Sequence, residues 1–300
     1  MAASRSWEQQ RERGSALGIA ILVWVARWLG RPLARLLLYP ITAYFLLTGR
    51  AARRASRDYL RRVLPHAPGW TDVARHFYCF AAVSLDRVFW MFGGRRQPEV
   101  VTYRPDEVYR AQHKGIGCLL LVAHFGSFEV RQSSSSVSRE VPLRIVLDRA
   151  HGGAYIRFIE RINPQVATTI IDASREGPAL MLEIKQALDS GTMVGLMADR
   201  VREGERAVEV DFLGGKARLP AMPWILAGLL GVPVVLAFGI YRGDKRYDAI
   251  FELLAERVEL PRAKREQAIR DYAQQYADRL AHHARSAPYN WFNFYDFWQA

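Results

Sequence analysis

From about residue 100 onward, short apolar blocks alternate with stretches of helical periodicity, and this alternation constrains the fold more than any other feature of the chain. Residues 117–123, 142–147, 166–171, 193–198 and 232–240 are apolar runs bounded by turn-forming or charged residues. Strands covered on both faces look like this. Between them, 154–162, 178–190 and 221–230 carry helical spacing. Alternating strands and helices predict an α/β fold with a mixed, largely parallel sheet flanked by helices. A long charged helix is expected over 261–285, with Ile269, Tyr272, Tyr276 and Leu280 at helical intervals.

The first 70 residues have a different character. A mixed-charge start leads into an apolar run at 16–26, too short to span a bilayer before Arg27 interrupts it. A secretory signal would begin with a short basic stretch, whereas this start is long and partly acidic. Arg31 and Arg35 follow, then a second apolar run at 36–47 and the cluster Arg50, Arg53, Arg54, Arg57, Arg61 and Arg62. Arginines four apart would share a helix face, and Pro32 is expected to bend or restart the helix. Trp24, Trp28, Tyr39 and Tyr44 among apolar residues, followed by dense positive charge, fit helices lying on an anionic membrane surface. Core helices of a soluble fold are one alternative, and a full span with the arginines snorkelling to the interface is another. The expected division is an N-terminal membrane-associating helical region at 1–70 and an α/β domain at 71–300, opening with a helical, aromatic-rich stretch near 69–94.

The chain has 42 Lys+Arg against 30 Asp+Glu, a formal net charge of +12. Nucleic acid, an anionic membrane and an acidic protein are the partners such a balance favours. The aromatic segment 289–298 lacks any Lys or Arg, which argues against a nucleic-acid stacking platform and leaves core packing or an apolar tunnel wall. Cys79 and Cys118 sit in apolar surroundings without metal-like spacing, so buried reduced thiols are expected.

Chemistry concentrates where strands end. The strand at 117–123 runs into His124-Phe-Gly-Ser-Phe-Glu129. With a helix starting near Ser127, Glu129 would fall in the first turn and accept an imidazole N–H. That would fix the tautomer and raise the basicity of the other ring nitrogen, as a base acting on a hydroxyl requires. A strand-end histidine beside a helix-start carboxylate is the structural alternative. Asp199 and Arg200 end another strand, at the sheet end where open α/β folds bind ligands; a local ion pair is the competing reading. Gly214 and Gly215, with Lys216 and Arg218, offer backbone N–H groups and positive charge to a phosphate or an oxyanion, or else form a tight hairpin with solvated basic residues.

These elements occur in an order that resembles the late acyltransferases of lipid A biosynthesis, within the wider glycerolipid acyltransferase superfamily. They are His-x-x-x-x-Glu after a strand, an Asp-Arg strand end, Gly-Gly-x-x-x-x-Pro, and an aromatic tail after Pro288. The resemblance runs from the N-terminal hydrophobic helix to the end of the chain. It implies transfer of a fatty acyl group from acyl carrier protein, or coenzyme A, to a lipid hydroxyl. It also implies attachment to the cytoplasmic face of an inner membrane, with no metal or organic cofactor. Arg149, after Ile145-Val-Leu-Asp148, is the loose counterpart of an arginine-bearing strand in that family. Where the family commonly has Trp-x-x-x-Arg-Arg, this chain reads Trp291 to Trp298 without a basic pair.

The expectation is therefore acyl transfer with His124 as general base and Glu129 as its orienting partner. Arg149, Asp199, Arg200, Gly214, Gly215, Lys216 and Arg218 are expected around the substrate. The chain has no Gly-x-Ser-x-Gly elbow for a covalent acyl-enzyme. The alternatives are a thioesterase using the same pair on water, and a membrane-bound carrier-protein-binding protein with a degenerate site.

Overall fold

The computed structural model describes residues 16–92, 97–112, 115–129, 142–148, 169–174 and 177–298. Four helices open it: α1 (Ala16–Trp28), α2 (Arg31–Thr48), α3 (Arg50–Val63) and α4 (Trp70–Phe92). Between α1 and α2, Gly30 has φ of 84°, and a proline occupies the first turn of α2. A left-handed residue followed by an imino acid stops one helix and starts the next. Arg27 thus lies before the break, and only Arg31 and Arg35 share a face of α2. On that helix Ala34, Leu38 and Thr42 are buried at four-residue spacing. Ala34 and Leu38, with Val25 and Ala26 of α1, pack on Leu85, Val88 and Phe89 of α4. The C-terminal carbonyls of α2 are capped from α3, whose Arg53 guanidinium donates to Leu46 O and Leu47 O. No single described helix is long and apolar enough to cross a membrane; α2 and α3 reach that length only as a pair bent by 96°.

The rest of the chain builds the sheet. Its elements are β1 (Glu99–Tyr103), α5 (Pro105–Ala111), β2 (Leu119–Gly126), β3 (Leu143–Leu147), β4 (Ile170–Asp172), α6 (Gly177–Asp189) and β5 (Met193–Met197). After these come β6 (Ala207–Phe212), β7 (Gly215–Pro220), α7 (Met222–Leu230), β8 (Val234–Gly243), β9 (Arg246–Ala255) and α8 (Arg265–Ser286). Seven strands lie in the order β1-β9-β8-β2-β5-β3-β4, while β6 and β7 form a separate hairpin. All neighbours in the large sheet are parallel except β8 and β9. The fold is the expected α/β class with a mixed, largely parallel sheet.

Central β2 is flanked by parallel β5 and β8, and Leu119 to Ala123 are all buried. That explains why its sequence is a continuous apolar run instead of an alternating one. The charged tail helix is α8, with Ile269, Tyr276 and Leu280 fully buried. Strand β9 carries Arg246, Asp248 and Glu252 and was not legible as an apolar run. The helix expected at 154–162 lies outside the described residues, as does the first half of the strand expected at 166–171, whose end is β4.

Candidate active site

Sheet order, not sequence proximity, assembles the site. In the parallel β2–β5 pair Val122 lies opposite Met197, and Ala198 N donates to Val122 O at 3.0 Å. Two residues beyond that matched pair, one strand delivers His124 and the other Asp199, at the same end of the sheet. Here β2 leaves its regular pairing with β8, the register shifting between Val122 and Gly126.

The C-terminal segment takes over the freed backbone groups. Phe292 N donates to His124 O at 2.8 Å, and Gly126 N donates to Asn290 O at 2.7 Å. Phe125 and Trp291 form an antiparallel bridge. Gly126 has φ of 57°. A Cβ there would stand 1.8 Å from Gly239 O, so only glycine lets the strands approach so closely.

His124 Nδ1 and Asp199 Oδ1 are 2.9 Å apart. Asp199 Oδ2 accepts the His124 backbone N–H at 2.9 Å and the Trp291 indole N–H at 3.1 Å. Burial alone would raise the Asp199 pKa. The charge and hydrogen bonds of His124, with Arg200 nearby, overcome it and bring the group down to about 2. An ionised Asp199 accepts, so Nδ1 donates, and the lone pair is on Nε2. That nitrogen has no hydrogen-bond partner among the described residues, and the side chain retains 30 % exposure.

The imidazole pKa is lowered, first by desolvation and then by the charge of Arg200, against the pull of Asp199; Arg87 lowers it further. The ring is thus neutral, and able to take a proton, around pH 7. These are the two properties a general base needs: a fixed tautomer and an accessible lone pair.

The contact with His124 Nδ1 expected of Glu129 is made in the structure by Asp199. Glu129 is buried in the turn after β2. It accepts a hydrogen bond from Ser127 Oγ and faces Arg87 Nε at 3.3 Å. Ser127 N donates to Gly239 O at 2.9 Å, and Phe128 and Glu129 form a turn. The helix expected from Ser127 onward lies beyond the described residues.

Arg200 donates to Phe292 O at 3.0 Å and lies over the Tyr295 ring. It joins the site together with Asp199. Arg149 lies outside the described residues.

Gly214, Gly215, Lys216 and Arg218 belong to the β6–β7 hairpin. Leu213 and Gly214 have φ of 49° and 77°, as a two-residue hairpin turn requires. Lys216 is exposed and ion-paired with Asp211 at 2.9 Å. Gly215 faces Arg62 and Trp298, and Arg218 is exposed. None of their described contacts is with His124 or Asp199; Gly214 lies in the turn and Gly215 opens β7.

Two contributors gave no signal in the sequence reading. Arg87 is one charge in the aromatic helix α4. Trp291 stood out only as part of an aromatic tail. Among the described residues no group of three or more His, Cys, Asp or Glu is placed to hold a metal.

A carboxylate-oriented histidine at the carboxyl end of a parallel sheet suits general-base chemistry. Comparison with known families narrows this to one: the family of bacterial lipid A biosynthesis acyltransferases matches residues 3–300, and the chain belongs to it. A comparison with curated proteins returned no match.

Proposed function

We propose that the protein transfers a fatty acyl group from an acyl thioester, carried by acyl carrier protein, to a hydroxyl of a membrane glycolipid, with His124 as general base. Family membership makes it an acyltransferase that uses an acyl donor and a lipid acceptor. The identities of donor and acceptor, and the residue roles, are our reading. The observation that carries it is the His124–Asp199 contact of 2.9 Å beside an Nε2 that has no hydrogen-bond partner among the described residues.

In this mechanism Nε2 removes the proton of the acceptor hydroxyl as its oxygen attacks the thioester carbonyl carbon. The Asp199 carboxylate stabilises the imidazolium that forms. Collapse of the tetrahedral intermediate breaks the C–S bond, and the imidazolium returns its proton to the departing thiolate. The products are an ester and a free thiol. Arg200 and Arg87, whose charges are felt at His124, supply positive potential where the oxyanion develops. Glu129 holds Arg87 in place, so it acts on this site through the arginine as well as through Ser127. Burial holds both cysteines as inert thiols: Cys79 is pushed up to about 12, and Cys118 is fully buried.

The N-terminal region, 1–70, is read as the membrane-associating part and 71–300 as the acyltransferase domain. Lipid A acyltransferases are typically associated with the inner membrane, and its cytoplasmic face is where a carrier protein is available. Trp24, Trp28, Leu33, Leu36, Tyr44 and Leu47 are exposed along α1 and α2. Arg50, Arg54 and Arg61 are exposed on α3. An apolar helical face bordered by arginines suits an anionic surface, and the same arginines suit an acidic carrier protein.

The test incubates detergent-purified protein with labelled acyl carrier protein or acyl-coenzyme A and an inner-membrane lipid extract, then separates the lipids. A new labelled lipid, formed fastest from the carrier protein, is expected. Labelled free fatty acid alone would identify a thioesterase instead, and no product from either donor would favour the degenerate binding protein.

A further inference from the structure

A cavity of about 670 Å³ that His124 does not line lies between the α1–α2 break, the first turns of α2, α4 and the turn joining β8 to β9. Its wall includes Trp28, Arg31, Arg35, Leu36, Tyr39 and Tyr78. Arg31 Nη2 donates to Asp86 Oδ2 and to Asp244 O, each at 2.6 Å. Arg35 donates to Asp244 Oδ1 at 2.9 Å and also to the Tyr241 hydroxyl. These bonds fix both guanidinium groups without using all their donors. Arg31 Nε, Arg31 Nη1 and Arg35 Nε are buried with no hydrogen-bond partner among the described residues. A guanidinium carries five N–H donors in a rigid planar fork, and buried donors of this kind are rarely left without an acceptor.

Two further properties narrow the ligand. The formal charges at the cavity nearly cancel, since Asp86 and Asp244 face the two arginines and Lys245 pairs with Glu99. Excess donors with little net charge suit a singly charged group with several acceptor oxygens better than a phosphate dianion. The rim is apolar and open: Trp28 is 68 % exposed, Leu36 60 % and Tyr39 61 %. Tryptophan and tyrosine beside exposed leucines are the side chains that settle at the lipid headgroup level.

We propose that this cavity binds the phosphodiester headgroup of a membrane glycerophospholipid through Arg31 and Arg35, with the lipid's acyl chains lying along the exposed leucines of α2. The site is separate from the reaction centre and rests on the membrane-surface reading of α1 and α2, not on the chemistry assigned to His124. It is also tied to the catalytic end of the sheet. Arg35 holds Tyr241, the Tyr241 backbone is bonded on both sides by the Asn290 side chain, and Asn290 O accepts from Gly126 N. A bound headgroup thus braces the strand edge beside His124.

The test titrates full-length protein in a maltoside detergent with dihexanoylphosphatidylglycerol, a soluble phosphodiester lipid, and separately with inorganic phosphate, by calorimetry. Two variants run alongside. Arg31→Gln with Asp86→Asn removes both charges of the buried pair together, and Arg35→Gln alters a more peripheral position should the first fail to fold. Flotation of each protein with phosphatidylglycerol–phosphatidylcholine vesicles is measured in parallel. The proposal expects saturable one-site binding of the lipid, weakened at least tenfold in the variants, while flotation persists. Equal lipid binding by folded variants and the unaltered protein would overturn it, as would flotation without one-site binding. Phosphate binding as tightly as the lipid at the same site would make the ligand a soluble phosphate. Loss of flotation by the unaltered protein would instead sink the membrane-surface reading. Acyl transfer, assayed on the same preparations, reports separately on the His124 chemistry.

Discussion

The indole N–H of Trp291 reaches Asp199 Oδ2 at 3.1 Å, so the C-terminal segment holds the same carboxylate that orients His124. The indole is itself fixed. It packs edge-on to Tyr59 and to Phe212, and its backbone carbonyl is bonded by buried His76 at 2.8 Å. Trp291→Phe keeps much of that packing and removes one hydrogen bond to a charged acceptor, worth roughly 1.5–3 kcal/mol. A fall in kcat of about ten- to a hundredfold with KM nearly unchanged is expected. Unchanged steady-state kinetics would remove Trp291 from the positioning role.

Asp199 and Glu129 make competing claims on the same histidine, and mutation separates them. Asp199→Asn removes the carboxylate charge facing Nδ1 and disturbs the tautomer, a change that costs on the order of 10⁴-fold where a carboxylate orients a catalytic imidazole. Glu129→Gln leaves the Asp199 contact intact and loosens the hold on Arg87, so its loss should be smaller by at least tenfold. Should the order of the two losses be reversed in kcat/KM, the orienting partner would be Glu129 after all.

The pH profile carries a sign. His124 must be neutral to accept a proton, and its pKa lies below the ordinary 6.5 because of desolvation and the charge of Arg200. The acid limb of kcat/KM should therefore fall below pH 6.5, with a plateau at neutral pH. Arg200→Gln withdraws a lowering charge, so the limb should move to higher pH. A limb that stays in place or moves down would show that Arg200 does not act on the base.

Membrane attachment rests on an exposed face and is open to direct measurement. Leu33 and Leu36 are 46 % and 60 % exposed, while the packing side of α2 is formed by Ala34, Leu38 and Thr42. Leu33→Glu with Leu36→Glu should leave the thermal midpoint almost unchanged. Co-flotation with anionic vesicles should fall several-fold, since each change removes buried apolar area and adds repulsion. Unaltered flotation would place the membrane contact elsewhere.

The legibility of this chain follows physical lines. Strands β2, β5 and β8 were readable because both faces are covered, which demands unbroken apolar runs. Strand β9 was not, because its charged residues bond to partners outside the strand, such as Glu252 with Arg279 and His283. His124 was readable as a polar residue ending a buried strand. Its partner was not: Asp199 lies 75 residues away, and only the parallel pairing of β2 with β5 brings them together, whereas Glu129 offered a local spacing. Gly214 and Gly215 suggested an anion cradle; in the structure Gly214 follows Leu213 in the hairpin turn, both at positive φ, and Gly215 begins β7.

The central claim is that His124 Nε2 is the base of an acyl transfer. The most direct measurement is formation of labelled lipid by the unaltered protein and by His124→Ala, at matched folding and membrane association. We expect loss of product by at least 10³-fold, in line with removal of a general base from a transfer reaction. Retained transfer by a folded His124→Ala protein would contradict the account at its centre.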